Sequence, residues 1–198
     1  MEIKTLDEIV DLLTSDIYML PNCRGIISEE NQKEDGSLFS SYVKICCSPM
    51  SDNIDFRVYR FDDKRNNANH PILFPFFRHD TGYGLNKNCD YIVFAQKNSE
   101  FYVLLVELKS CSGKPQQQLD VSKTFIDFIV HRFNICGIEY NPQIRKIGIK
   151  DVSGIKSKYK NLTRNQDFQY DGNNFISMVC ADTTEVQPFS IRLEKVLI

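Results

Sequence analysis

Asp90 and the tripeptide Glu107-Leu108-Lys109 are the residues whose types and spacing can do chemistry in this chain. Two carboxylates converging on one point repel each other and do not both stay ionised cheaply without a cation. Such oxygen donors favour a hard ion, Mg²⁺ or Mn²⁺. A cation held there can polarise a phosphodiester and acidify a bound water. Lys109, two residues beyond Glu107, can orient or deprotonate that water, or neutralise charge in the transition state. A Glu-x-Lys at a strand end is by itself usually a surface ion pair worth little, so the surrounding elements decide what it does.

Those elements are legible on both sides of the tripeptide. Asp90 to Gln96 and Phe101 to Lys109 are apolar runs separated by Lys97-Asn98-Ser99-Glu100, a polar connection suited to an antiparallel hairpin. Side chains alternate along a strand, so Phe101, Val103, Leu105, Glu107 and Lys109 share one face and Tyr102, Leu104, Val106 and Leu108 the other. A strand apolar on both faces is a central strand. The start of the first strand then lies beside the end of the second, which brings Asp90 to Glu107. After the turn Ser112-Gly113-Lys114-Pro115, the residues Gln118, Ser122, Phe125, Ile126, Ile129 and Phe133 trace one face of a helix that begins just past the carboxylates.

Elsewhere, Thr5 and Glu8 predict a capped N-terminal helix ending near Asp16. Tyr42–Cys47 and Ile54–Phe61 read as strands joined in a hairpin through residues 48–53. Residues 62–69 and 81–88 read as loops, and 145–150, 174–181 and 189–196 as further strands.

The region from Asp90 to Phe133 resembles the core of the PD-(D/E)XK nuclease superfamily, in which an Asp opens one strand, D/E-x-K closes the next and a helix follows, often with a Gln. The matching positions are Asp90, Glu107, Lys109 and Gln118 in QQQLDVSK; Cys89 stands where the pattern has Pro. The resemblance implies an α/β fold of the restriction-endonuclease-like kind, a mixed central β-sheet flanked by α-helices. It implies that Asp90, Glu107 and the Leu108 carbonyl bind Mg²⁺ or Mn²⁺, that Lys109 acts on the attacking water, and that Gln118 belongs to the catalytic group. An acidic residue from an early helix adds a ligand in some members, and Glu8, Glu29 and Glu30 are the candidates. The expected activity is metal-dependent endonucleolytic hydrolysis of DNA, as in a bacterial or phage defence system. The alternatives are a nuclease-like subunit that binds nucleic acid or a protein partner, and a nuclease that cuts RNA.

Composition sets the frame for that reading. With 198 residues and 42% hydrophobic content, one domain spanning 1–198 can bury a sizeable core. No stretch approaches the ~20 apolar residues of a membrane helix and the first residues are acidic and amphipathic, so a cytoplasmic protein without membrane partners is expected. The seven cysteines are odd in number and lack CxxC spacing, which predicts small buried hydrophobes and no zinc site. His70, His79 and His131 lack ligand spacing, and Gly113-Lys114-Pro115 lacks the pattern of a phosphate-binding loop.

The formal net charge of -2 hides an uneven distribution. Between Gln143 and Arg164 stand Arg145, Lys146, Lys150, Lys156, Lys158, Lys160 and Arg164 against only Asp151, and Tyr159 lies among them. Such a run either tracks a phosphate backbone, with Tyr159 stacking on a base, or is a solvated basic loop. A chain this small with no recognisable target-recognition domain suits a partner such as an ATPase, and the resemblance to nucleases that dimerise to cut both strands implies a homodimer as the alternative.

Overall fold

Glu100–Ser110 forms β5, the longest strand of the computed structural model, and the rest of the architecture buries its two faces. The structure describes residues 2–13, 25–32, 38–48, 53–61, 88–110, 115–151, 171–180 and 183–198. In chain order the elements are α1 (Leu6–Leu12), β1 (Ile26–Gln32), β2 (Leu38–Cys46), β3 (Ile54–Arg60), β4 (Tyr91–Lys97), β5, α2 (Gln116–Ile135), β6 (Gln143–Asp151), β7 (Phe175–Cys180), β8 (Phe189–Arg192) and α3 (Leu193–Val196). A five-stranded sheet of order β3-β4-β5-β6-β7 and a three-stranded sheet of order β1-β2-β8 result.

The larger sheet is mixed. β3, β4 and β5 run antiparallel, and α2 carries the chain over to β6 and β7, which lie parallel to β5. The β4–β5 turn is tighter than the four polar residues suggest: Lys97 pairs with Glu100, leaving Asn98 and Ser99 as a two-residue loop. Asn98 takes φ 57°, the left-handed conformation such turns need and which Asn tolerates better than most residues.

Alternation along β5 sorts the core. Val103 and Leu105 point to the layer of α1 and α2, joining Ile92, Phe94, Leu6, Ile9, Leu119 and Ile126. Tyr102, Leu104, Val106 and Leu108 point the other way, into a cluster with Ile27, Val43, Ile45 and Ile191 of the second sheet. Each fully buried aliphatic side chain here stabilises the fold by about 1.5–3 kcal/mol. Tyr91 ties the two sheets by a polar bridge: its hydroxyl donates to Ser28 O (2.6 Å) and accepts from Ser28 N (3.1 Å).

Several expectations need correction. The α/β class with a mixed sheet holds, but the two faces of the five-stranded sheet are covered differently: α1 and α2 pack on one, and the three-stranded sheet together with Leu193 and Val196 of α3 packs on the other. β2 and β3 form no hairpin: β2 pairs with β1 and β8, whereas β3 pairs with β4. Both strands carry apolar side chains, and local pattern does not say which sheet a strand joins. α1 ends at Leu12 rather than near Asp16, with Leu13 in extended conformation at its C-cap. The last strand stops at Arg192, where Leu193–Val196 turn helical to bury Leu193 and Val196. Cysteine burial is uneven, with Cys89 buried, Cys46 and Cys47 half-buried and Cys136 exposed. Residues 62–69 and 81–87 lie outside the described residues.

Candidate active site

The β4–β5 register pairs Tyr91 with Val106, so Asp90, one residue before β4, stands opposite Glu107. Both side chains emerge on the α2 face. Glu107 is 0% exposed and Asp90 4%, at the end of a strand whose earlier positions on that face, Phe101, Val103 and Leu105, are apolar. Burial of two carboxylates is costly unless each is held by donors, and the chain supplies them. Asp90 N donates to Glu107 Oε2 (3.1 Å), and Leu108 N donates to Asp90 Oδ2 (2.7 Å). Lys109 Nζ forms an ion pair with Glu107 Oε1, its own side chain 26% exposed. On the opposite edge of β4, Phe61 N donates to the Asp90 carbonyl (2.8 Å).

The first turns of α2 hold the approach to Asp90. Gln118 Nε2 donates to Asn88 O (2.9 Å), Cys89 N donates to Ser122 Oγ (2.7 Å), and Ser122 Oγ donates in turn to Gln118 O (2.8 Å). Gln118 thus acts on the site through residue 88, as a positioning residue. The Cys89 thiol is pushed far above its ordinary value, first by burial and further by the Glu107 and Asp90 carboxylates, although Ser122 opposes the shift. It is a neutral, inert thiol at neutral pH.

Parallel pairing brings β6 alongside. Gly148 is the partner of Glu107, and a Cβ at Gly148 would meet Pro115 Cγ at 2.5 Å and Phe175 Cε2 at 3.0 Å. The missing side chain lets the start of α2 settle beside Glu107. Pro115 at the N-cap supplies no side-chain cap and the first turn contains no acid, which leaves the positive end of the helix next to the carboxylates. Lys146, two residues before Gly148 on the same face, is 5% exposed and ion-paired through Nζ with Asp120 Oδ1 of α2 (2.9 Å).

Of the residues expected at the site, Asp90, Glu107, Leu108 and Lys109 are brought together, and Gln118 stands one hydrogen bond behind them. Glu8 is elsewhere: its carboxylate accepts from Lys4 N (2.7 Å) and Thr5 N (2.9 Å), completing the α1 capping box. Those backbone bonds hold it below its ordinary carboxylate value. The α1 start is bound to Gln96 at the far end of β4, about 20 Å from Asp90 at ~3.3 Å per residue. Glu29 and Glu30 fall in a strand rather than a helix, in the sheet that packs on the opposite face from the carboxylates. His131 is exposed on α2, while His70, His79, Tyr159 and the basic residues from Lys156 to Arg164 lie outside the described residues. Ser122 and Gly148 carried no functional reading in the sequence; the Gln118-x3-Ser122 spacing on one helical face is the signal for the first, and a glycine between β-branched strand residues for the second.

The donor set fits a hard cation. It is all oxygen, two carboxylates and the Leu108 carbonyl, which points to the same strand edge as the Leu108 amide bonded to Asp90, because a strand residue presents both groups to one neighbour. Among the described residues no group of three or more His, Cys, Asp or Glu could hold a metal. Mg²⁺ commonly takes one or two carboxylates and completes its shell with water and substrate phosphate.

Comparison with known proteins gives no match among family models, curated proteins or solved structures. No helix among the described residues is long and apolar enough to cross a membrane.

Proposed function

We propose that the chain is a metal-dependent endonuclease that hydrolyses phosphodiester bonds of DNA. The observation that carries this reading is the buried apposition of Asp90 and Glu107, with Lys109 ion-paired to Glu107 at the more exposed edge. The order β4, β5, α2, β6 around it also agrees with the resemblance to the PD-(D/E)XK core.

Asp90, Glu107 and the Leu108 carbonyl are the groups that would hold the cation, and Mg²⁺ or Mn²⁺ bound there would supply Lewis-acid polarisation of the phosphodiester and an acidified water. The apolar neighbours Ile92, Leu105 and Leu119 keep bulk water from the inner side of the carboxylates and strengthen their electrostatics. Lys109 presents its ammonium on the solvent side, where it orients the attacking water and offsets charge developing on the phosphate. Gln118 and Ser122 keep residues 88 and 89 in place, so that Asp90 meets Glu107 without reorganisation.

Purified protein is expected to nick or cut plasmid DNA with Mg²⁺ or Mn²⁺ and not with EDTA. Glu107→Gln and Lys109→Ala are expected to lower the rate by about 100-fold or more while circular dichroism reports an intact fold. Cutting by both variants at the wild-type rate would sink the assignment. Parallel DNA and RNA substrates decide between the two polymers.

A second reading has its own supporting observation. Both Glu107 oxygens are engaged by the chain, one by Lys109 and one by the Asp90 amide, an arrangement that also suits a nuclease-like subunit using the site as a structural clamp. Calorimetry with Mn²⁺ separates the readings: no heat of metal binding, with nucleic acid or protein binding retained, favours the clamp.

A further inference from the structure

The basic residues that begin at Arg145 divide sharply once β6 is formed. Arg145 points away from the site and is bonded to Gln143 Oε1, Asn174 Oδ1 and Ile198 O. Lys146 is buried and paired with Asp120. Lys150 is different: it is half-buried, and among the described residues its side chain has no hydrogen-bond or ion-pair partner. Its register partner on β5 is Lys109.

Residues paired across parallel strands ~4.8 Å apart project to the same face. That face is fixed here by the neighbours: Ile147 and Ile149 enter the cluster shared with the second sheet, so Lys146, Gly148 and Lys150 share the α2 face with Glu107 and Lys109. Two lysines directly abreast are unfavourable in a sheet, and Glu107 is engaged with only one of them. Next to Gly148 on β7, Ser177 is exposed, so this side of the face is open to a large ligand.

We propose that Lys150 and Lys109 form a phosphate-binding ledge at the mouth of the Asp90–Glu107 pair, with Lys150 contacting a backbone phosphate of the DNA substrate. The proposal rests on the endonuclease reading above. Its chemistry is that of a phosphate contact: it holds the strand in register beside the carboxylates, and it reads no base. The anion between the two ammonium groups offsets their repulsion, and the uncapped start of α2 adds positive potential from the same side. Lys150 is a positioning residue for substrate and takes no part in the proton transfers.

The test uses the full chain and a fluorescent DNA duplex, with anisotropy titrations in EDTA from low to moderate salt and cleavage kinetics in Mg²⁺. Lys150→Ala and Lys150→Gln are expected to weaken DNA binding roughly threefold to tenfold and to reduce the slope of log affinity against log salt by about 0.9, the signature of one lost phosphate contact. KM is expected to rise by a similar factor with kcat less affected, and Lys150→Arg to restore both. A merely structural role leaves the salt slope unchanged. If wild type binds and cuts DNA but the slope and KM of both variants match wild type, the ledge is overturned while the endonuclease reading stands. If wild type neither binds nor cuts any nucleic acid, the endonuclease reading has failed and the ledge with it. A slope change on RNA but not on DNA overturns the substrate named here.

Discussion

The Cys89 amide is buried and finds its partner in one hydroxyl, Ser122 Oγ at 2.7 Å, so the path into Asp90 depends on a side chain from a different element. Removing that oxygen leaves a buried N–H without its acceptor and frees Gln118 O from its second donor. Ser122→Ala is expected to lower the unfolding free energy by about 1–3 kcal/mol, read from urea denaturation. On the endonuclease reading proposed above, cleavage should fall more than stability alone explains, because residues 88 and 89 lose one of the two tethers to α2 seen among the described residues. A stability change within about 0.5 kcal/mol would mean that water replaces the hydroxyl. The same scale separates Lys109 from Lys150. The first is tied to a buried carboxylate, so its removal lowers stability without abolishing the fold, whereas replacing the second has little effect on stability.

Between β6 and α2 the deciding contact is the one that Gly148 permits. Pro115 lies where a Cβ would be, and a proline ring held at a helix start has little room to move aside. Gly148→Ala is expected to destabilise by about 1–3 kcal/mol through overpacking, and to shift the start of α2 away from Glu107; on the proposed endonuclease and phosphate-ledge readings, cleavage should then fall while DNA affinity changes little. Equal losses in affinity and turnover would place the effect on the whole sheet instead. This contact also marks where sequence reading stops. Asp90 beside Glu107 was legible because a hairpin is local: a short polar turn, alternating apolar residues and the two-residue period fix which positions face each other. The α2 face was legible for the same reason, from the spacing of Gln118, Ser122, Ile126 and Phe133. The alignment of Gly148 with Glu107 and of Lys150 with Lys109 was not, since it is set by a parallel crossover whose register depends on how α2 packs. β1 was missed altogether: IISEENQ has apolar residues only at its start, and it is a strand because β2 pairs with it along seven positions, Ile26 to Gln32.

Taken as three layers, α1 and α2 on one side of the five-stranded sheet and the second sheet with α3 on the other, the molecule buries weakly acidic groups in both of its cores. Cys89, Tyr59 and Tyr140 lie in the helix-side cluster and Tyr102 in the cluster between the sheets. Burial is the leading cause that raises each of them above its ordinary value, 9.0 for the thiol and 10.0 for the phenols. Tyr102, whose hydroxyl also donates to Glu100 Oε2 at 2.6 Å, is pushed up to about 12. A group whose value is raised on folding keeps its proton in the folded state at a pH where the unfolded chain has released it. The unfolded state then binds fewer protons, and stability falls as pH rises. The contribution of these groups is therefore complete below the ordinary thiol value of 9.0 and is lost progressively above it, first through Cys89 and then, from 10.0 upward, through the tyrosines. Urea midpoints measured across this range should be insensitive to these groups at neutral pH and decline beyond pH 9.0, with Cys89→Ala lessening the loss between 9.0 and 10.0, where the half-buried Cys46 thiol, also raised by burial, still contributes. Midpoints that stay level to about pH 11 would mean that the interior admits water to these groups and that neither core is dry.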